Sequence, residues 1–211
     1  MPYGFLDIAM TPSVKAAQAA NGSAKVFADF RGDRAFDRFT QGEREFIGTR
    51  DSFYMATVSE TGWPYVQHRG GPPGFLRVLD DKTLACADFR GNRQYISVGN
   101  LTADNRACLF LMDYPNRQRL KIYAHADLAS LQERPDLVEK LATPGYKAKV
   151  ERAMIFHLEA FDWNCPQHIT PRFTESELTE ALASVRDRIE TLEMENRQLK
   201  ERLGSKSDAG G

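Results

Sequence analysis

The stretch "VQHRGGPPGFLRVLDDKTLACADFRGNRQYI", residues 66–96, sets four arginines, Arg69, Arg77, Arg90 and Arg93, among short apolar runs. A guanidinium among apolar neighbours needs a partner. Its planar fork of donors matches phosphate or carboxylate oxygens two at a time. The pattern therefore points to an anion site. "GNR" at 91–93 reads as the opening of a helix, where free backbone N–H groups and the dipole add to the pull of Arg93 on a phosphate. "GGPPG" at 70–74 lets backbone pass close to a flat ligand with no Cβ in the way. On a strand over 74–80, Phe75, Arg77 and Leu79 share one face. The competing reading is a surface salt-bridge cluster in which Asp80, Asp81 and Asp88 absorb the arginines, and local chemistry leaves both open. His68 is the nearest titratable candidate for proton transfer, against the plainer reading of a strand histidine bonded to backbone.

These residues need a scaffold, and the flanking sequence predicts one. "FYMATVS" (53–59), the turn "ETGW" and "PYVQHR" (64–69) read as a hairpin. "GFLRVLD" (74–80) and "TLACAD" (83–88) read as a second, followed by a short helix over 92–101. "RACLFLMDY" (106–114) is a continuous apolar run, as expected of a strand buried on both faces. "RLKIYAHADLAS" (119–130) and "RAMIFHLEAFDW" (152–163) complete the strands, with a helix over 134–142 between them. Upstream, "TPSVKAAQAANG" has Thr11 to cap a helix, Pro12 for its first turn and Gly22 for its exit. Thr40 and Glu43 form a capping box for a helix over about 41–49. Strands in runs, with short helices inserted, argue for an antiparallel barrel in a mainly β, α+β fold. Neither a dinucleotide-binding nor a P-loop glycine pattern is present.

The tail has another texture. Leu178, Leu182, Val185, Ile189, Leu192, Asn196, Leu199 and Leu203 alternate spacings of four and three, a heptad seam. Asn196 falls at an a position, which specifies a parallel two-stranded coil. Arg188 then faces Glu193 of the partner helix and Glu195 faces Lys200. The plainer reading is an amphipathic helix packed on its own domain. "SKSDAGG" after it reads as a disordered end.

The 211 residues carry 28 Lys and Arg against 29 Asp and Glu, a net charge of −1, which argues against a nucleic-acid partner. No apolar run reaches the roughly 18 residues of a membrane span, and "MPYGFLDIAM" lacks the basic and apolar regions of a signal peptide. A cytoplasmic location is expected. Cys86 and Cys108 sit in apolar runs as small core residues. Cys165 and His168 alone make no metal site, since zinc takes three or four ligands.

"QHRGGPPGFLRVLDD…ADFRGNRQ", with the hairpin before it, "NRACLFL" and "NRQRLKIYAHA" after it, resembles the pyridoxamine 5′-phosphate oxidase-like FMN-binding split-barrel family, in a branch related to the oxidase rather than the oxidase proper. The resemblance covers roughly residues 40–165. It implies a six-stranded antiparallel split barrel that forms a homodimer with FMN at the subunit interface. It divides the chain into an N-terminal helical extension (1–39), the barrel (40–165), a linker and coiled-coil helix (166–204) and a tail (205–211). By position, Arg77 resembles the basic residue ending the family's first flavin strand, and Asp88 a polar contact on the next. Asn92, Arg93 and Gln94 resemble the Ser-Arg-Lys phosphate cradle, with one positive charge missing at Gln94 that Arg90 or Arg69 can replace. Arg119, or Gln118 one register away, matches the residue supplied by the second subunit. Trp163 and Gln167 fall where some members close over the flavin ring. The oxidase's Arg-x-His substrate clamp is missing, which argues against pyridoxamine phosphate as substrate. The resemblance implies an FMN-dependent oxidoreductase acting on a small molecule, with a nicotinamide as donor. The rival is a flavin-binding carrier, sensor or partner subunit without turnover. Haem or deazaflavin F420 in place of FMN stays open.

Overall fold

The computed structural model of the chain describes residues 4–27, 35–130 and 132–207, with side chains for all of these except 138 and 201–207. The chain divides after Ile169 into two compact units. Within the first, three short helices, α1 (Gly4–Ala9), α2 (Pro12–Ala20) and α3 (Ala24–Phe27), precede α4 (Gln41–Gly48). Thr11 caps α2, its side chain accepting from the Val14 N–H. The Thr40–Glu43 capping box of α4 forms as expected.

One seven-stranded antiparallel sheet follows. Its strands are β1 (Ser52–Val58), β2 (Pro64–Gly70), β3 (Arg77–Val78), β4 (Thr83–Phe89), β5 (Arg106–Asp113), β6 (Gln118–Ser130) and β7 (Val150–Trp163). Their spatial order is β2-β1-β5-β6-β7-β4-β3. Six are long, and β3 is a two-residue fragment. The backbone ladder is not closed, since β2 and β3 are both edges. α5 (Ile96–Ala103) lies between β4 and β5 in sequence, and α6 (Pro135–Leu141) between β6 and β7.

The first hairpin has the expected bounds, with Ser52 opposite Gly70 and Val58 opposite Pro64. Gly62 in its turn has φ +83, the left-handed backbone that glycine adopts without strain. The second hairpin is shorter than expected. Phe75 and Leu76 are buried beside the Pro72–Pro73 bend, and only Arg77 and Val78 pair with β4. Proline offers no N–H to a ladder.

Phe53, Met55, Leu109, Leu111, Leu120 and Ile122 fill the interior, joined by Phe156 of β7 and by Phe46 and Ile47 of α4. A second cluster covers the outer side of β4 and β7, where Ala85, Ala87 and Ala153 allow Leu137 and Leu141 of α6 to approach. The long strands β6 and β7 shift register at Tyr123/Ala124, and β4 shifts against β7 at Asp88/Phe89. Such irregularities bend strands and sharpen their twist.

Strand β5 departs from expectation. Ala107, Leu109 and Leu111 are buried, but Cys108, Phe110 and Met112 on the other face are only half-buried. Its apolar character on both sides is thus met by core on one side alone. Cys108 is therefore not a core residue, whereas Cys86 is.

The second unit contains α7 (Glu175–Ser207). Thr174 and Glu177 close a capping box at its start, with the Thr174 N–H donating to Glu177 Oε2 (2.7 Å) and the Glu177 N–H to Thr174 Oγ1 (3.2 Å). The helix continues to Ser207, so residues 205–207 are helical rather than part of a disordered end, and 208–211 lie outside the described residues. Leu203 is on the helix, with its side chain outside the description. No described helix is long and apolar enough to cross a membrane.

The three cysteines differ enough to be told apart. Burial pushes the Cys86 thiol up to about 12, while Cys165 is exposed. A native thiol titration followed by peptide mass spectrometry is expected to label Cys165 promptly and Cys86 only on unfolding, because the thiolate is the reactive form. Prompt labelling of Cys86 would contradict this core.

Candidate functional site

The sheet curls until strands from its two ends approach, and side chains bridge the gap that the backbone leaves. Arg69, on edge strand β2, places Nη1 on Asp88 Oδ1 of β4. Arg152 of β7, directly opposite Asp88 in the ladder, places Nε 3.4 Å from Oδ2. Asp88 is 5% exposed, so one buried carboxylate holds two guanidiniums. The Arg69 Nε is also buried and lacks a hydrogen-bond partner.

Beside this cluster the chain leaves β4 through residues 90–95. Arg90 Nε donates to Glu151 Oε1 at 2.7 Å, and the Tyr95 hydroxyl donates to the same oxygen at 3.2 Å. The hydrogen bond from Arg90 holds the Glu151 carboxyl below its usual range. The Arg152 guanidinium lies 5.2 Å from the centre of the Tyr95 ring. Asn92 folds back locally, with Oδ1 accepting from the Gln94 N–H (3.1 Å) and Nδ2 donating to Gln94 Oε1 (3.2 Å). Arg93 and Tyr95 both adopt left-handed backbone, φ +64 and +55. This corrects the expected helix start. The chain does not turn into a helix after Gly91; α5 begins at Ile96, with Tyr95 as an N-cap that makes no side-chain capping bond. The free N–H groups of a first turn are thus present, but four residues later than expected. Ser97 Oγ donates to Gln67 Oε1 (2.7 Å) and ties α5 to β2.

A cleft of about 50 Å³ opens between these parts, lined by Gln67, Arg69, Asp88, Arg93, Tyr95 and Glu151 among others. Arg69, Arg90, Arg93 and Arg152 stand against Asp88 and Glu151, four positive charges less two negative, leaving two uncompensated. Arg93 makes no ion pair among the described residues. The salt-bridge reading of the sequence is therefore right for Arg69 and Arg90, with Asp88 and Glu151 as the acids. It does not account for Arg93. Buried polar atoms normally find partners, so the orphaned Arg69 Nε and the net charge fit an anion with several acceptor oxygens.

The other sequence-predicted residues lie elsewhere. Arg77 is exposed on β3, its Nη2 3.4 Å from the Ala142 carbonyl, and does not line the cleft. Phe75 is 2% exposed in the core, stacked on Phe53 with ring centres 5.7 Å apart. The "GGPPG" segment serves that packing rather than a ligand. A Cβ on Gly71 would come within 2.6 Å of the Phe75 ring, and Gly74, at φ +78, would meet the Gly48 carbonyl at 2.9 Å. His68 points away from Arg69, on the outward side of β2, with its ring against Tyr54 (5.5 Å). Trp163 is held within its own chain, Nε1 donating to Glu43 Oε1 (2.9 Å) and the ring edge-on to Phe46. Arg119 and Asn164 adjoin it; Arg119 Nε and Asn164 Oδ1 are buried without partners. Gln167 is exposed after β7. Gln67, Tyr95, Ser97 and Glu151 complete the cleft, Arg152 backs it through Asp88 and Glu151, and none of the five was singled out in the sequence. Arg152 could have been found only by setting β7 against β4 in register.

A family model described as pyridoxamine 5′-phosphate oxidase matches residues 39–160, more than half of the 211 residues. The chain belongs to the pyridoxamine 5′-phosphate oxidase family. Among solved structures, this family member is similar to HupZ from Group A Streptococcus (18% identity, 64% of this chain and 99% of that one, TM-score 0.49). It is also similar to an FMN-binding protein from Syntrophomonas wolfei (15% identity, 71% and 97%, TM-score 0.45). A third is a Clostridium acetobutylicum protein related to general stress protein 26 (18%, 64% and 94%, TM-score 0.43). A comparison with curated protein sequences finds no significant match.

The buried cluster makes a stability prediction. Asp88→Ala leaves the Arg69 guanidinium unpaired in a largely buried place and Arg152 with Glu151 as its one acid, and is expected to cost about 3 kcal/mol in urea unfolding. A loss below about 1 kcal/mol would mean that the pair behaves as an exposed one.

Proposed function

We propose that this family member binds FMN, with the phosphate seated in the Arg69–Arg93 cleft, and acts as an oxidoreductase on a small molecule with a nicotinamide dinucleotide as electron donor. The observation that carries the reading is the charge imbalance: a net surplus of two positive charges, with Arg93 in no ion pair among the described residues and beside an uncapped helix start. A phosphomonoester carries close to two negative charges near neutral pH. Arg93 and Tyr95 on either side of Gln94 adopt left-handed backbone, a conformation that recurs in anion-binding concavities.

In this reading Arg93 and the first N–H groups of α5 hold the phosphate. Arg69 contributes its unpartnered Nε, oriented by Asp88. Glu151, kept ionised by Arg90, aligns Tyr95. FMN when bound supplies hydride transfer at its ring, and the protein supplies position and electrostatics. Neither carboxylate at the cleft is free to move a proton, since arginines hold both. His68 lies on the other side of the strand, so no proton transfer is assigned to it. A cleft of about 50 Å³ is far below the roughly 300 Å³ of a pocket that encloses a whole ligand. One chain thus takes the phosphate end, and the remainder of the cofactor needs a second surface.

A second copy is the proposed source of that surface. On the outward face, Val66, Ala56, Cys108 and Tyr123 form one row across β2, β1, β5 and β6, with His68, Tyr54, Phe110 and Lys121 beside it. Val66 is 61% exposed, and a groove of about 500 Å³ runs past Ala56, Val58, Cys108 and Tyr123. An apolar face of this kind on a folded chain marks an interaction site.

Two outcomes test the proposal. Arg93→Ala is expected to weaken FMN binding, followed by flavin fluorescence, by about 2 kcal/mol, or roughly thirtyfold; unchanged affinity removes the phosphate assignment. In the wild type, NADH or NADPH should bleach the bound flavin and air restore it, whereas a flavin that no donor reduces would favour a carrier. Val66→Glu is expected to uncover Cys108, so that a bulky maleimide labels it faster than in wild type. Equal rates would count against the shared face.

A further inference from the structure

The second unit carries one long helix with an exposed apolar stripe. The 33-residue helix α7 spans about 50 Å at 1.5 Å per residue. Its leucine, valine and isoleucine residues with described side chains lie on one stripe, and each is close to half exposed: Leu178 47%, Leu182 45%, Val185 50%, Ile189 51%, Leu192 45% and Leu199 57%. A helix with a purely solvated function has no reason to keep leucine, valine and isoleucine in 4-3 spacing over five turns and more, with Asn196 as the one polar member of the row. The stripe is two residues wide per heptad, which is the width of a coiled-coil seam rather than of a helix packed on a globular core.

We propose that α7 pairs with α7 of a second copy of this chain as a parallel, in-register, two-stranded coiled coil. The seam's own chemistry selects that occupant. Asn196 interrupts the apolar row at an a position, and an open groove lined by Ile189, Leu192, Glu193, Asn196 and Lys200 surrounds it. A lone asparagine there is satisfied when the same residue of a parallel partner faces it across the axis, and it is left unpaired when the partner is displaced. Flanking charges agree with the same register. Arg188 meets Glu193 of the second helix and Glu195 meets Lys200, each pair of opposite sign and each made twice by symmetry. A partner of different sequence would have to reproduce both the asparagine and the charge order, whereas a second copy does so by identity. The inference stands on α7 alone and does not depend on flavin binding.

The test uses the full chain with Cys165→Ser, which removes the exposed thiol. Leu199→Cys puts a thiol at a d position facing the axis, and Gln198→Cys puts one on the outer side of the same turn. Under mild oxidation the parallel pairing gives mainly disulfide-linked dimer for the position-199 variant and little for the position-198 variant, read on a non-reducing gel. No dimer at position 199 overturns the proposal, since neither an antiparallel pair nor a helix packed against its own chain or another protein places two copies of residue 199 together. Equal crosslinking at both positions overturns it as well, because collision rather than a fixed seam would then explain the bond.

Discussion

One carboxylate holds the structure at its seam. The seven-stranded sheet ends in β2 on one side and β3 on the other, and no backbone ladder joins them. Asp88 of β4, the neighbour of β3, closes the gap instead, gripping Arg69 from β2 and Arg152 from β7. An acid that is 5% exposed needs partners for its oxygens, and two guanidiniums supply them. The demand runs the other way too, since Arg69 and Arg152 are themselves largely buried beside apolar neighbours. A closed ladder at this point would have left no room for a ligand. A gap bridged by side chains leaves a polar opening in the wall of an otherwise apolar barrel.

The opening is biased toward anions by what surrounds it. Residues 90–95 run past the gap with two left-handed turns, and α5 starts beside it without a side-chain cap. Four arginines gather around two acids. Two of those arginines are held by Asp88 and one by Glu151, so they act as fixed charges. Arg93 lines the cleft and makes no ion pair among the described residues. The remaining needs of the fold are met away from this corner: α6 covers the alanine patch on β4 and β7, and Trp163 ties the end of β7 to Glu43 of α4.

Much of this was legible in the sequence where a local rule decides the outcome. Aromatic and β-branched residues around the "ETGW" turn marked β1 and β2, the Thr40–Glu43 box marked α4, and heptad spacing marked α7. Arg69 and Arg93 stood out because charged residues stood in apolar runs, and Asp88 was named by the family resemblance and as a possible salt-bridge acid. What escaped notice depended on long-range register. Arg152 and Glu151 reach the cleft only because β7 lies against β4, and nothing near either residue signals that pairing. Arg77 and Phe75 were misplaced because the proline bend cuts β3 to two residues and turns Phe75 into the core. The glycines at 71 and 74 looked like room for a ligand, whereas the space they leave is filled by the Phe75 ring and by the approach to α4. Sequence spacing reveals that a small residue is required, not which neighbour requires it.

The central claim is that the cleft beside Asp88 grips a phosphate, so the most direct test compares two ligands that differ only in that group. Calorimetric titration of the wild-type chain with FMN and with riboflavin isolates the contribution of the phosphate. The account predicts that FMN binds at least about a hundredfold more tightly, equivalent to roughly 2.7 kcal/mol. Equal affinities for the two would contradict it.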